Sequence, residues 1–175
     1  LDVYIADIGG GEETLYGYVV TDAEQEGDDE SSQHSYQVMD NDYADDQFDY
    51  EDGAGPDGAL QVTAAHEYVH VLQNGINYFG DLWWSEGTAA YLEEQVYPAV
   101  NDYLQYIEPF ALGTGTPLTS WIGEGDLANY HYGTSVFHHF LAARFDPEVI
   151  RDAWTESQGR ETGLKAFDRV LRLRG

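Results

Sequence analysis

Two histidines four residues apart, His66 and His70, enclose a carboxylate in the run His66-Glu67-Tyr68-Val69-His70, and few short patterns leave a chain less freedom. On an α-helix, residues i and i+4 stand one above the other, so both imidazoles face one point while Glu67 lies beside it. Such a face suits one divalent ion with a base next to it, provided that a second element closes over the helix. With 6 His in 175 residues, chance produces the pattern roughly 0.02 times per chain. Two unrelated surface histidines are therefore the weaker explanation. The flanks agree, because Val62, Ala65, Val69 and Leu72 recur at spacings of three and four and give residues 60–73 an apolar stripe. Asn74-Gly75 then suits a left-handed helix end.

A metal site that keeps one position open for water needs a third protein ligand. Glu86 is the first candidate. It lies in residues 82–94, a second helical pattern that stops before Pro98, and a short connection could fold this helix back antiparallel onto the first. The small run Gly87-Thr88-Ala89-Ala90 permits close packing. Asp81 and Glu93 are rival third ligands, and the bland reading of Glu86 is an acid favoured by the positive end of a helix. Ligand histidines usually donate their other N–H to an acceptor, for which Glu93 or a carboxylate from residues 40–52 would serve.

Here the chain resembles the gluzincin branch of zinc metallopeptidases, in which His-Glu-x-x-His is followed on the next helix by a liganding Glu, often in a Trp-x-x-Glu-Gly context like Trp83-Trp84-Ser85-Glu86-Gly87. Residues 3–10, the run Leu15-Tyr16-Gly17-Tyr18, and Val38-Met39-Asp40-Asn41-Asp42-Tyr43 are also similar to a family of secreted prokaryotic peptidases of this type. The resemblance implies a zincin-like fold, Zn2+ held by His66, His70 and Glu86, Glu67 as general base on a metal-activated water, and a peptide or protein substrate. It also implies an extracellular or cell-surface location. Two departures stand out. Fifteen residues separate His70 from Glu86, a few fewer than in the thermolysin and aminopeptidase branches, and Ala90 occupies a position where some relatives carry an Asp that orients a ligand histidine.

Peptide hydrolysis also calls for a hydrogen-bond donor to the developing oxyanion. No Lys or Arg occurs in residues 1–143, so a neutral donor is expected. Asn129-Tyr130-His131-Tyr132-Gly133 is the place to look, since Tyr130-x-x-Gly133 resembles the Tyr-x-Lys-Gly stretch of one-zinc aminopeptidases, with Tyr132 where the lysine would be. Tyr130 is the first choice, Tyr132 and His131 the alternatives. His138 and His139 read as core-edge or surface histidines, and His34 as a loop residue.

The charge distribution narrows the partners. Residues 1–143 carry 27 acids and no base, against 6 acids and 7 bases in 144–175, which together give the net charge of −26. Neither nucleic acid nor an anionic membrane suits such a surface, because both require a positive patch; a neutral or cationic substrate does. A single Lys against six Arg among abundant acids resembles the composition of proteins from extreme halophiles. There is no Cys, hence neither a disulfide nor a thiolate metal site. No run of 18 apolar residues predicts a membrane span, and a start at Leu1 fits a processed product or an excised domain.

The pattern along the chain predicts an α+β fold. Residues 2–8 and 15–21 alternate like strands and read as a hairpin or as neighbours, with a third strand at 35–39. Residues 40–58 form an acid-rich connection that could bind Ca2+, although it departs from the EF-hand template at Ala44 and Asp45. Helices are expected at 99–110, 133–144, 147–156 and 163–173. One domain over 1–175 is expected, with a sheet lobe and motif helix at about 1–75, a helical lobe at about 76–175, and a zincin-like cleft between them. Two other readings compete with a peptidase: a catalytically weak metal-binding module, and an acidic, calcium-dependent recognition module of a longer secreted chain.

Overall fold

The structure, a computed structural model, describes residues 1–9, 15–21, 32–44, 55–157 and 161–174. It is α+β. Three strands, β1 (Val3–Ala6), β2 (Gly17–Thr21) and β3 (Ser35–Asp40), precede helices α1 (Gly55–Asn77), α2 (Leu82–Val96), α3 (Ile107–Leu112), α4 (Tyr130–Gly133), α5 (Ser135–Arg144), α6 (Glu148–Glu156) and α7 (Gly163–Arg174). Among the described residues, no helix is long and apolar enough to cross a membrane.

The sheet corrects the expected pairing of the first two strands. Its order is β1-β3-β2, with β1 parallel and β2 antiparallel to β3, so β1 and β2 never meet. The centre goes to the strand that can be buried: Gln37, Val38, Met39 and Asp40 are all inaccessible, whereas Val3, Tyr4 and Ile5 on β1 are exposed. Asp40 also locks the arrangement. Its carboxylate accepts the backbone N–H groups of Ile8, Gly9, Asp42 and Tyr43, at 3.0, 2.8, 3.2 and 2.8 Å, and so ties the end of β1 to the end of β3. Burial alone would raise its pKa, yet these four donors hold the carboxyl below its ordinary value. Both oxygens are thereby engaged in the fold, which removes Asp40 from the expected calcium-binding set; residues 45–54 of that set lie outside the described residues.

Helix α1 starts earlier and ends later than the periodicity predicts. Pro56 occupies its first turn, where a missing N–H costs nothing, behind Gly55 at φ +60°. At the other end the helix runs through Asn74-Gly75 to Asn77, because Ile76 packs on the core and the buried Asn77 amide donates to Ser157 Oγ at 3.2 Å. Tertiary contacts outweigh the local end signal. Leu72 of the predicted stripe is exposed, and Gln73 is buried in its stead. The helix expected over 99–110 is broken at Asn101, whose left-handed backbone (φ 59°) leads into a 3₁₀ turn, Asp102–Tyr106, and only then into α3.

The main core lies on the far side of α2. Trp84 is fully buried, stacks on Trp154 with ring centroids 3.8 Å apart, and meets Phe167 edge-on at 6.0 Å. Val149, Ile150, Ala153, Ala166 and Val170 of α6 and α7 complete it. Gly87 has to be glycine here, since a Cβ would stand 2.2 Å from Thr134 Oγ1 and 2.9 Å from His138. The small run of α2 thus serves its contact with α5, while α1 packs along the opposite side.

Candidate metal centre

Helices α1 and α2, joined by residues 78–81, lay their polar faces against each other. His66 and His70 come from α1, and Glu86 from the second turn of α2. Glu86 Oε2 lies 3.0 Å from His66 Nε2 and 3.3 Å from His70 Nε2. One atom from each residue falls within 4.8 Å of the others, which makes these three a group able to hold a metal ion. Bonds of about 2.0–2.2 Å to a tetrahedral centre separate ligand atoms by about 3.3–3.6 Å, and the two N···O separations of 3.0 and 3.3 Å lie at or just below that range. Two imidazoles and one carboxylate form a donor set that fits zinc.

The far sides of both rings are held as well. His66 Nδ1 faces Glu93 Oε1 at 2.5 Å. His70 Nδ1 lies 2.8 Å from Gln73 Oε1 and 3.2 Å from Ser85 Oγ. Gln73 is itself fastened, donating to the Ser85 carbonyl at 3.0 Å and accepting the Ser85 hydroxyl at 2.5 Å. These contacts favour a proton on each Nδ1 and aim each Nε2 at the Glu86 carboxylate, leaving Nε2 as the ring atom that would bind an ion. Glu93 stands seven residues beyond Glu86, two turns along the same face of α2, and supplies the carboxylate contact to His66 that the methyl group of Ala90 cannot make. Asp81 is elsewhere: its carboxylate accepts Gly163 N–H at 3.0 Å and Trp83 Nε1–H at 3.3 Å.

Burial and mutual charge set the protonation of the cluster. Burial disfavours the charged form of His66, but hydrogen bonds to Glu86 and Glu93 outweigh it and push its pKa well above the ordinary value. Burial would likewise raise Glu86, yet the two histidines hold it far below the usual carboxylate range. Glu67 and Glu93 are both raised, chiefly by burial. A proton held on His66 places positive charge between Glu86 and Glu93.

Glu67 sits beside the group, under β2. Gly17 makes this possible, because a Cβ there would come within 2.8 Å of Thr63 and 3.1 Å of Glu67 Cγ. Among the described residues no hydrogen-bond donor occupies the Glu67 carboxylate.

The aromatic stretch divides differently from the expectation. The Tyr130 hydroxyl donates to the Thr116 carbonyl at 3.2 Å, and its ring stacks on Phe110. Tyr132 is the tyrosine near the cluster, its ring 5.7 Å from that of His66 and 4.9 Å from Tyr106. Burial first, and then the charges of Glu86, Glu67 and Glu93, raise the Tyr132 pKa, which keeps the hydroxyl protonated as a donor must be. His131 is buried, stacked on Trp121 at 3.8 Å, with its pKa lowered by burial. His138 is a core residue between Thr88 Oγ1 (3.2 Å) and the Thr134 carbonyl (3.1 Å), and burial lowers its pKa to about 4. His139 packs on Tyr91 and Tyr103, and His34 is exposed just ahead of β3. Gln73, Ser85 and Tyr106 escaped the sequence reading. Only Gln73, three residues after His70 on the same helix face, carried a periodic signal.

No family model, curated protein or solved structure matches the chain.

Proposed function

We propose that this chain is a zinc-dependent peptidase of zincin-like architecture, with His66, His70 and Glu86 as ligands and Glu67 as general base. The observation that carries this reading is the convergence of both Nε2 atoms on one Glu86 oxygen, each imidazole being braced from behind by Glu93 or by Gln73 and Ser85. When bound, the ion would supply Lewis acidity, making a water acidic near neutral pH and polarising the substrate carbonyl. Glu67, one residue from a ligand, accepts the proton of the attacking water and returns it to the leaving amine. Its burial raises its proton affinity toward the range in which both transfers are feasible. Tyr132, in place of Tyr130, donates to the oxyanion. The absence of Lys and Arg from residues 1–143 disfavours a cationic clamp on a terminal carboxylate and so favours internal peptide bonds.

The deciding experiment is Glu67→Gln, which retains size and hydrogen bonding but removes the base. Bound metal should stay at the wild-type level while hydrolysis of an unfolded protein drops by about 10²–10⁴. Undiminished hydrolysis would eliminate the mechanism.

A further inference from the structure

A cavity of about 440 Å³ opens at the start of α2, one helical turn ahead of Glu86. Leu82 and Trp83 of α2, Trp121 of the connection between α3 and α4, and Leu164 of α7 line it, with Asp81 as the charged group. Leu82, Trp121 and Leu164 are large apolar side chains left 57, 51 and 45% exposed around one depression. A chain of ring contacts runs from the cavity toward the candidate centre: Trp121 stacks on His131, whose ring lies 4.4 Å from that of Tyr132.

We infer that this cavity binds an arginine or lysine side chain of a peptide substrate, through the Asp81 carboxylate and the indole of Trp121. The inference rests on the peptidase reading for the word substrate, while the chemistry of the cavity stands by itself. Positions 82 and 83 lie four and three residues before Glu86, with Cβ separations of about 5–6 Å on a helix surface. An extended peptide advances about 3.3 Å per residue. A side chain one or two residues from the scissile bond therefore reaches the cavity. The apolar walls match the methylene stem of a long cationic residue, and an indole face attracts its head.

Charge decides between a cationic and a purely apolar occupant. Asp81 is held in place by two donors, Gly163 N–H and Trp83 Nε1–H, and among the described residues no Lys or Arg pairs with it. A carboxylate offers about four acceptor sites, so capacity remains. Covering this charge with an apolar side chain would strip its water without compensation, whereas a guanidinium or ammonium supplies a partner. The net charge of −26 on the whole chain adds a long-range preference of the same sign.

The test compares two peptides that differ only in arginine or its neutral isostere citrulline, two residues or fewer from the cleaved bond. The wild type should favour arginine by about 10- to 100-fold in kcat/KM, and Asp81→Asn, which keeps an oxygen for Gly163 and Trp83, should bring the ratio close to one. A ratio near one in the wild type, or one that survives Asp81→Asn, overturns the assignment. A second arm needs no turnover: N-acetyl-arginine amide and its citrulline counterpart are titrated against Glu67→Gln protein, with tryptophan fluorescence as the readout. Tighter binding of the arginine compound, lost in the Asp81→Asn/Glu67→Gln double variant, supports the cavity even if no peptide is cleaved and the peptidase reading has failed. Equal binding of the two compounds overturns it.

Discussion

On one side of α2, Trp84 is stacked, fully buried and surrounded by aliphatic and aromatic neighbours; on the other, Glu86 and Glu93 face two histidines with no Lys or Arg among the partners found for them. The two residues Trp84 and Glu86 are about 200° apart around the helix axis, so one element serves both environments. The apolar side closes without any ligand. On the polar side, burial raises Glu67 and Glu93, Glu93 Oε2 is buried without a hydrogen-bond partner, and His66 must hold a proton to balance its neighbours. The first side explains why the chain folds, and the second has the electrostatics of a place prepared for a cation.

That contrast can be broken most severely at Trp84. Truncation of a buried tryptophan costs about 3–5 kcal/mol, so Trp84→Ala should lower the denaturation midpoint strongly while the protein that remains folded binds metal in the wild-type ratio. A loss of metal affinity matching the loss of stability, measured by calorimetry on both proteins, would show that the two sides are one unit.

The core has its own polar weak point in His138. Its folded pKa of about 4 lies below the unfolded value of about 6.5, so the unfolded state binds more protons in between. Stability from this group is complete above about pH 6.5 and is lost as pH falls toward 4, by about 3 kcal/mol if the whole difference is expressed. Denaturation measured at several pH values should show that slope in the wild type and a shallower one in His138→Gln. Equal slopes would place the acid sensitivity elsewhere.

On the polar side, Glu93→Gln should weaken metal binding by about 10- to 100-fold, the usual effect of removing an orienting carboxylate. It should shift the thermal midpoint of the metal-free protein far less than Trp84→Ala does. Unchanged affinity would mean that the 2.5 Å contact with His66 has no part in holding a ligand.

The smallest effect concerns the distribution of charge along the chain. Residues 1–143 hold 27 acids without a base, whereas the arginines of α6 and α7 are paired locally, as in Arg169 with Glu161 and Arg172 with Asp168. Screening should relieve the first region more, since the Debye length falls from about 10 Å at 0.1 M to about 3 Å at 1 M salt. The thermal midpoint should therefore rise by a few degrees between about 0.1 and 2 M NaCl. A flat or falling curve would contradict the resemblance to halophile compositions.

The parts of the structure legible in the sequence were those encoded by local period. His66, Glu67 and His70 fall on one helix face because i and i+4 always do, and Glu93 falls in line with Glu86 because seven residues make nearly two full turns. The sheet order was not legible: β1 is drawn to β3 by Asp40 gathering the amides of Ile8 and Gly9, a contact across more than thirty residues. Nor was the choice between Tyr130 and Tyr132. Two positions apart on a helix they point about 200° away from each other, and α4 is only four residues long, too short for a periodic pattern to show which faces the cluster. The late end of α1 escaped for a similar reason, since Asn77 is held by Ser157, eighty residues further on.

Metal content read together with anomalous scattering tests the central claim most directly. The account predicts one zinc per chain, bound by the Nε2 atoms of His66 and His70 and by the Glu86 carboxylate at about 2.0–2.2 Å, and lost in His70→Ala. Zinc absent from protein purified without chelator and supplied with the ion, or metal bound only among residues 40–52, would contradict it.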